Sequence, residues 1–290
     1  MGKVRRFALI AILILMMSML VPVLDMVAGG RPIFSSNTLA VWDIYERNQK
    51  VWDLEVDGNG RIYIVYTTDE MYYLDTYIVH SDDGGKSWSS SSRIDDVLRD
   101  GNESNDRSAQ NTPRIAIASN DTVYVAWNDA REKSYFMEQP SHIRVAWSED
   151  GENFTRSIKV TPFKSEPSWD AVKPDIAVND EGRIFVTWLD EKDSGAYKNV
   201  WSSYSDDGGY TWSEMMQIND DGTDYRNHDF LKCALNGDDI YVTWHDNREN
   251  DDQYRPYVAC SHDGGETFGE NKAVSDDKEP VNSRQWPSPA

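Results

Sequence analysis

Two cysteines, Cys233 and Cys260, are all that the 290 residues contain, and that scarcity excludes a small scaffold stapled by disulfides. Positive charge is short as well, with 29 Lys and Arg against 50 Asp and Glu and a net charge of −21. Such a balance repels phosphate backbones and anionic lipid headgroups, so nucleic acid and acidic membrane surfaces are excluded as partners. The five His are scattered. No His or Cys cluster has metal-ligand spacing, and neither a metal nor a cofactor is expected. There is no Gly-x-Ser-x-Gly and no Gly-rich loop between strand and helix, which removes two common catalytic signatures. Asp53-Leu54-Glu55-Val56-Asp57-Gly58 has some letters of a calcium loop, but Leu54 and Val56 fall at core positions of a strand.

What is abundant is aromatic: 12% of residues, including 11 Trp and 15 Tyr. That much apolar surface requires a packed core and excludes a disordered acidic chain. The one long apolar run is Phe7 to Leu24, broken only by Ser18 and Pro22. Lys3, Arg5 and Arg6 precede it, and Ala28, Gly29 and Gly30 follow. This is the order of a secretory signal, and its length also fits an uncleaved anchor. Residues 1–30 are therefore read as signal or anchor and residues 31–290 as one exported domain, extracellular or at the cell surface. Any contact with a membrane would come through the N-terminal segment alone. The sequons at Asn102, Asn120 and Asn153 suit that compartment.

One stretch is written four times. Ser205-Asp206-Asp207-Gly208-Gly209-Tyr210-Thr211-Trp212 recurs from Ser81 through Asp83 and Gly85 to Trp88, and from Ser261 through Asp263 and Gly265 to Phe268. A degenerate copy runs from Ser148 through Asp150 to Phe154, one residue shorter and without the second Gly. The Asp accepts from backbone N–H groups just after it, the Gly pair takes angles a Cβ forbids, and the hydroxyls close the same turn. The final aromatic is carried away from solvent as an apolar anchor. This S-x-D-x-G-x-[ST]-[WF] pattern resembles the Asp-box, or BNR, repeat of sialidase-like (neuraminidase-like) β-propellers. In that family the boxes sit on outer hairpins away from the substrate.

Between boxes runs a second repeated text, clearest as Pro174 to Asn179, a turn at Glu181-Gly182, then Ile184 to Trp188. It returns as Leu54 to Asp57 with Ile62 to Tyr66, Pro113 to Ser119 with Val123 to Trp127, and Cys233 to Asn236 with Ile240 to Trp244. Short β-branched and aromatic runs joined by Asn, Asp and Gly turns predict antiparallel strands, here called A and B. A third strand precedes each box and a fourth follows it. The box serines are 67, 57 and 56 residues apart, a period that suits a four-stranded unit. The fold expected is an all-β propeller with about four complete blades. Thr38 to Asp43 reads as a stray outer strand and Trp286 to Ala290 as the approach to another A strand. The two loose ends suggest a C-terminally incomplete chain from a six-bladed ring, with a closed ring of four or five blades as the alternative. Cys233 and Cys260 fall on first and third strands of one blade, which are not neighbours.

If boxes mark one end of the blades, the D-to-A and B-to-C loops share the other, and the resemblance places substrate there. The B-to-C loops carry Asp129 with Arg131 and Asp246 with Arg248, read either as ion pairs that fix the loops or as ligand contacts. The D-to-A loops carry Arg107, Trp169 and Asp170, then Arg226, His228 and Asp229, then Arg284 and Trp286. Guanidinium, aromatic face and hydrogen-bonding groups are what a sugar acid requires, so carbohydrate, sialic acid or a related sugar acid, is the partner that the resemblance implies. An exo-α-sialidase of the family also needs an arginine triad, an Asp acid/base and a Tyr nucleophile paired with Glu. The early Phe/Tyr-Arg-Ile-Pro motif is missing, and Gly30-Arg31-Pro32-Ile33 has its letters in the wrong order. Catalysis is therefore not carried over to any residue, and a non-catalytic surface propeller for adhesion or scaffolding stands as the alternative.

Overall fold

The computed structural model describes residues 40, 48–70, 73–96, 109–132, 140–161, 170–192, 197–222, 226–250 and 253–275, all within the compact unit Thr38–Ala290. Trp169, Arg107, Arg284, Trp286, Asn102 and the signal-like segment lie outside the described residues, as does all of Thr38 to Asp43 except Ala40. No helix occurs among the described residues. Four antiparallel sheets of four strands follow one another along the chain. Blade 1 is β1 (Gln49–Val56), β2 (Ile62–Glu70), β3 (Tyr73–Ser81) and β4 (Ser92–Arg93). Blade 2 is β5 (Gln110–Ile117), β6 (Val123–Asp129), β7 (His142–Ser148) and β8 (Ile158–Lys159). Blade 3 is β9 (Asp170–Val178), β10 (Ile184–Lys192), β11 (Tyr197–Ser205) and β12 (Met216–Gln217). Blade 4 is β13 (His228–Asn236), β14 (Asp239–Asn250), β15 (Gln253–Ser261) and β16 (Lys272–Ala273). The strands written A to D thus form in the expected order, although the fourth is only two residues long in every blade.

The second strands of blades 2 and 3 are apolar on both faces because each of these blades packs between two others. Tyr63 and Val65 of β2 meet Val123, Val125 and Trp127 of β6. Tyr124 and Ala126 of β6 meet Ile184, Val186 and Trp188 of β10. Phe185 and Leu189 of β10 meet Ile240, Val242 and Trp244 of β14. Alternate residues along one strand therefore serve two different seams, which follows from the two-residue period of a strand. The first strands pack side by side as β1 on β5, β5 on β9 and β9 on β13. Leu54 and Val56 depart from the core positions expected of them and are 51% and 50% exposed. Their counterpart Ile115 in β5 is 2% exposed because blade 1 covers it. Among the described residues, no strand covers β1 on the corresponding side.

All four boxes lie between third and fourth strands and close the same network. The Asp207 carboxylate accepts from Thr211 N and Oγ1 and from Ser205 Oγ, and Ser205 Oγ accepts from Gly209 N. Asp83 and Asp263 repeat it with Ser87 and Thr267. The short copy is completed by Asn153, whose side-chain amide donates to Asp150 at 2.8 Å where the others use a hydroxyl. Gly209 holds φ at +95°, and a Cβ there would come within 3.2 Å of Trp147 in the preceding blade. Trp88, Phe154, Trp212 and Phe268 are half-buried, the last three packed on seams between blades and Trp88 on a cluster of blade 1 itself.

These hydrogen bonds hold the box carboxyls below the usual carboxylate range. Asp83, Asp207 and Asp263 are lowered from 3.8 to about 2, chiefly by the hydroxyls of Ser87, Thr211 and Thr267. Asp150 is lowered further, chiefly by the Asn153 backbone N–H. A carboxyl depressed in the folded state gives stability that is complete above its unfolded value and is lost as pH falls through the folded one. The melting temperature is therefore expected to drop as pH falls from 3.8 to about 2, the interval those three carboxyls span. A variant with Asn at positions 83, 207 and 263 should melt lower at mildly acidic pH and show a flatter acid limb. An unchanged acid limb in calorimetry would remove the boxes as its source.

Candidate functional site

Each first strand slips register once against its partner, between Val51 and Asp53, opposite Thr187 and Leu189, between Asn111 and Arg114, and between Asp229 and Lys232. At the slip Thr112, Lys173 and Phe230 hold φ at 50°, 50° and 53°. Positive φ costs a non-glycine residue about 1–3 kcal/mol and is kept where surrounding structure enforces it. The same strain at one position of three blades marks a bulge, the device that re-aims side chains beside it. Just after the slip stand Asp53, Arg114, Asp175 and Lys232, one from each blade and alternating in sign.

Asp53, Asp175 and Lys232 line an axial cavity of about 240 Å³ bounded by residues of all four first strands, and Arg114 reaches Asp175 beside it. Arg114 donates to Trp52 O at 2.7 Å, and its Nε lies 3.6 Å from Asp175 Oδ1. Lys232 Nζ bonds Asp175 Oδ1 at 3.0 Å, and Cys233 N donates to Asp175 Oδ2 at 2.8 Å. Asp53 Oδ2 accepts Ile115 N at 3.3 Å. Burial raises the Asp175 carboxyl against the pull of Lys232 and of the Cys233 N–H. Glu55, also lining the cavity but still meeting solvent, is raised by desolvation and then by Asp53. Two carboxyls whose charged forms burial disfavours thus share this set with an ammonium and a guanidinium, and the two cations can bind an anion. Cys233 is free, and burial pushes its thiol well above the ordinary range.

Toward the loop end of the same strands, Lys50 Nζ sits 3.7 Å above the Trp52 ring, and Trp52 Nε1 donates to Thr67 Oγ1. Lys173 pairs with Asp229 at 2.6 Å across blades 3 and 4. Phe230, 51% exposed, tilts against His245 with ring centroids 4.8 Å apart. Aromatic faces and charged groups of both signs thus stand at the head of the inner strands.

No family model matches this chain, and no curated protein does. Solved structures match by shape. The Hadza microbial sialidase Hz136 is 13% identical with a TM-score of 0.57, over 77% of this chain and 46% of that one. The α-L-arabinofuranosidase arb93a from Fusarium graminearum, a point mutant in complex with an iminosugar inhibitor, is 14% identical with a TM-score of 0.58, over 77% and 66%. The NanB sialidase from Streptococcus pneumoniae, also a point mutant, is 11% identical with a TM-score of 0.56, over 85% and 55%. The chain has a sialidase-like β-propeller fold. It spans between 46% and 66% of the length of these three neighbours.

Within this propeller the residues marked by sequence fall into two groups. Asp129 is buried, accepting Trp127 Nε1 at 2.9 Å and pairing with Arg131 at 2.7 Å, while Arg131 also reaches Asp96 of blade 1 at 2.6 Å. Asp96 in turn accepts Ser157 N and Oγ of blade 2. Blade 4 repeats the clamp, with Trp244 Nε1 on Asp246, Arg248 on Asp246 and Asp220, and Asn271 N on Asp220. His228 joins it fully buried, with Nε2 3.2 Å from Asp246 Oδ2 and Nδ1 against Lys198 O. Asp170 accepts Ser141 N at 2.7 Å. The Arg226 carbonyl accepts Lys198 N, and Asp229 joins Lys173 at the mouth. The charged column Asp53, Arg114, Asp175 and Lys232 was not marked by sequence. The available signal was a charged residue at a fixed register, two residues after Val51, Thr112, Lys173 and Phe230.

Proposed function

We propose that this is an extracellular sialidase-like propeller that recognises carbohydrate, with an anionic sugar held by the inner strands at the head of the axial cavity. The observation that carries the reading is a cavity of about 240 Å³ lined by Asp53, Glu55, Asp175 and Lys232, with Arg114 beside Asp175 and the aromatic residues Trp52 and Phe230 on the same inner strands. Lys232, with 55% of its side chain exposed, is the cation placed to turn toward a carboxylate. Arg226 lies two residues before β13 on the same end of the blade, and a guanidinium offers a carboxylate two parallel hydrogen bonds. The extracellular assignment is supported by the basic, apolar and small-residue order of residues 1–30. If the complete protein is an exo-α-sialidase, Glu55 is the carboxyl best suited to protonate a leaving oxygen.

A glycan array followed by a fluorogenic sialoside assay tests this. Lys232→Ala and Arg226→Ala are each expected to weaken binding of acidic sugars by about 1.5–3 kcal/mol and to leave neutral glycans unaffected. Turnover whose alkaline limb disappears in Glu55→Gln would select the enzyme. Binding without turnover would select the non-catalytic surface propeller, a reading favoured by the missing Arg-Ile-Pro motif. Absence of any glycan binding would leave a protein scaffold.

A further inference from the structure

One titrating side chain is built into the seam between blades 3 and 4 at a position where the other blades have none. His228 opens β13 opposite Asp246, the register that Gln49, Gln110 and Ala171 hold opposite Thr68, Asp129 and Asp190. Its ring has no exposed surface. Nδ1 faces the carbonyl of Lys198, near the start of β11. Lys198 N donates to the Arg226 carbonyl at 3.1 Å, so one residue of blade 3 holds the head of β13 twice. Nε2 faces two carboxylates, with Asp246 Oδ2 3.2 Å away and Asp221 Oδ2 3.7 Å away. Around them, Trp244 stands edge-on to the ring at 6.3 Å, and Asp221 Oδ1 accepts Asn219 Nδ2 at 2.6 Å. Arg248 is shared by Asp246 and Asp220, and the Lys198 ammonium is turned to Glu191 at 3.5 Å.

A carbonyl oxygen only accepts, so Nδ1 carries a proton. Burial opposes ionisation of Asp246, but His228 and Arg248 outweigh it and keep the carboxylate charged. A bare Nε2 would set its lone pair against that carboxylate where water does not reach. With a neutral ring, Asp220, Asp221 and Asp246 would also share the one Arg248 guanidinium among the described residues, and Asp221 Oδ2 has no hydrogen bond of its own there. Buried charge without a partner is strongly disfavoured. We propose that His228 is a buried imidazolium and acts as a proton-dependent bolt, which ties the head of β13 to the Asp246 clamp when charged and releases it when neutral. The proton given up is the one on Nε2, which passes to solvent base, while Nδ1–H stays with the Lys198 carbonyl. Asp229 and Phe230 follow His228 directly, so release loosens the mouth of the axial cavity. That consequence rests on the carbohydrate site proposed above; the bolt itself does not. The charged ring gains these partners only on folding. Its contribution is therefore complete where a free imidazole is charged and is lost as pH rises until the folded ring gives up its proton.

Nitrogen-15 NMR of the histidine-labelled protein reads the ring directly. Its signals are assigned by their absence in His228→Gln, which installs the side chain blade 2 uses, or by removing the other four His one at a time if that variant does not fold. Both ring nitrogens of His228 are expected to carry protons at neutral pH, and a single protonated nitrogen overturns the proposal. In urea, the folding constant of the parent should fall by up to about tenfold per pH unit relative to His228→Gln on the alkaline side of free imidazole, the slope that one proton gives. Parallel curves overturn the proposal as well. Sialyllactose affinity should weaken at least about fivefold over the interval in which the NMR series shows His228 losing its proton, and should hold steady there in His228→Gln. Affinity in the parent that ignores that titration overturns the control of the mouth. Absence of sialyllactose binding at every pH counts against the carbohydrate reading instead, and the ring charge and the urea slope then decide the bolt alone.

Discussion

Replacing Trp127 by Ala is expected to lower stability by about 3–5 kcal/mol. Trp127 has no exposed surface and fills the seam between blades 1 and 2 with Tyr63, Val65, Val123 and Val125. Its Nε1 donates to the buried Asp129 at 2.9 Å. Truncation therefore opens a cavity between two sheets and at the same time removes a donor from a carboxylate that solvent does not reach. The two costs act together, because neither blade can close on the other without moving the inner strands β1 and β5, which pack side by side. Trp212 provides the contrast: it is half-buried at the edge of its seam, with Nε1 on Gly209 O, and Trp212→Ala should cost nearer about 1–3 kcal/mol. In a domain stable by about 5–15 kcal/mol the first change is a large share of the total. It should lower the melting temperature by about 6–20 °C. A Trp127→Ala protein that melts with the parent in calorimetry would show that blades 1 and 2 are held by other contacts.

The strands and boxes were legible in the sequence because their causes are local. Two-residue alternation writes Ile184 to Trp188 as a strand, and Asp207 with Gly209 and Thr211 writes its own turn. The extra copy at Ser148 was legible as a box, but its use of Asn153 in place of a hydroxyl was not, since only the folded turn brings that amide to Asp150. The first strands begin earlier than their apolar text, at Gln110, Asp170 and His228. Their opening residues are polar because they pair with the clamp residues of the B-to-C ends, as Gln110 does with Asp129 and His228 with Asp246. The axial column was hidden for a different reason. Asp53, Arg114, Asp175 and Lys232 are single charges about one blade apart, and nothing within any one strand says that four strands share an axis. Leu54 and Tyr241 have the letters of core residues and are 51% and 41% exposed, since among the described residues no sheet packs on those faces of blades 1 and 4.

Asp246→Ala should cost about 3–5 kcal/mol, the loss expected when one partner of a buried ion pair is removed. Asp246 is 1% exposed and accepts from Trp244 Nε1 at 2.9 Å, Arg248 N at 2.7 Å and Arg248 Nε at 2.8 Å, with His228 Nε2 3.2 Å away. Its carboxyl is held well below the usual range by His228 and Arg248 despite the opposing cost of burial, so it stays ionised throughout the neutral and mildly acidic range. Without it, the Trp244 N–H loses its acceptor, His228 Nε2 keeps only the more distant Asp221 at 3.7 Å, and Arg248 keeps Asp220, Asn271 and the Tyr257 ring. Asp129→Ala makes a useful comparison, because Gln110 takes the strand position of His228 there. One fewer ionisable neighbour should make that loss the smaller of the two in urea unfolding. The same pair of variants separates scaffold from ligand contact. If the clamps only fix the loop end of the blades, glycan affinity per folded molecule is unchanged in both. An affinity that falls further than the folded fraction would instead give Asp246 and Arg248 a direct part in holding the sugar.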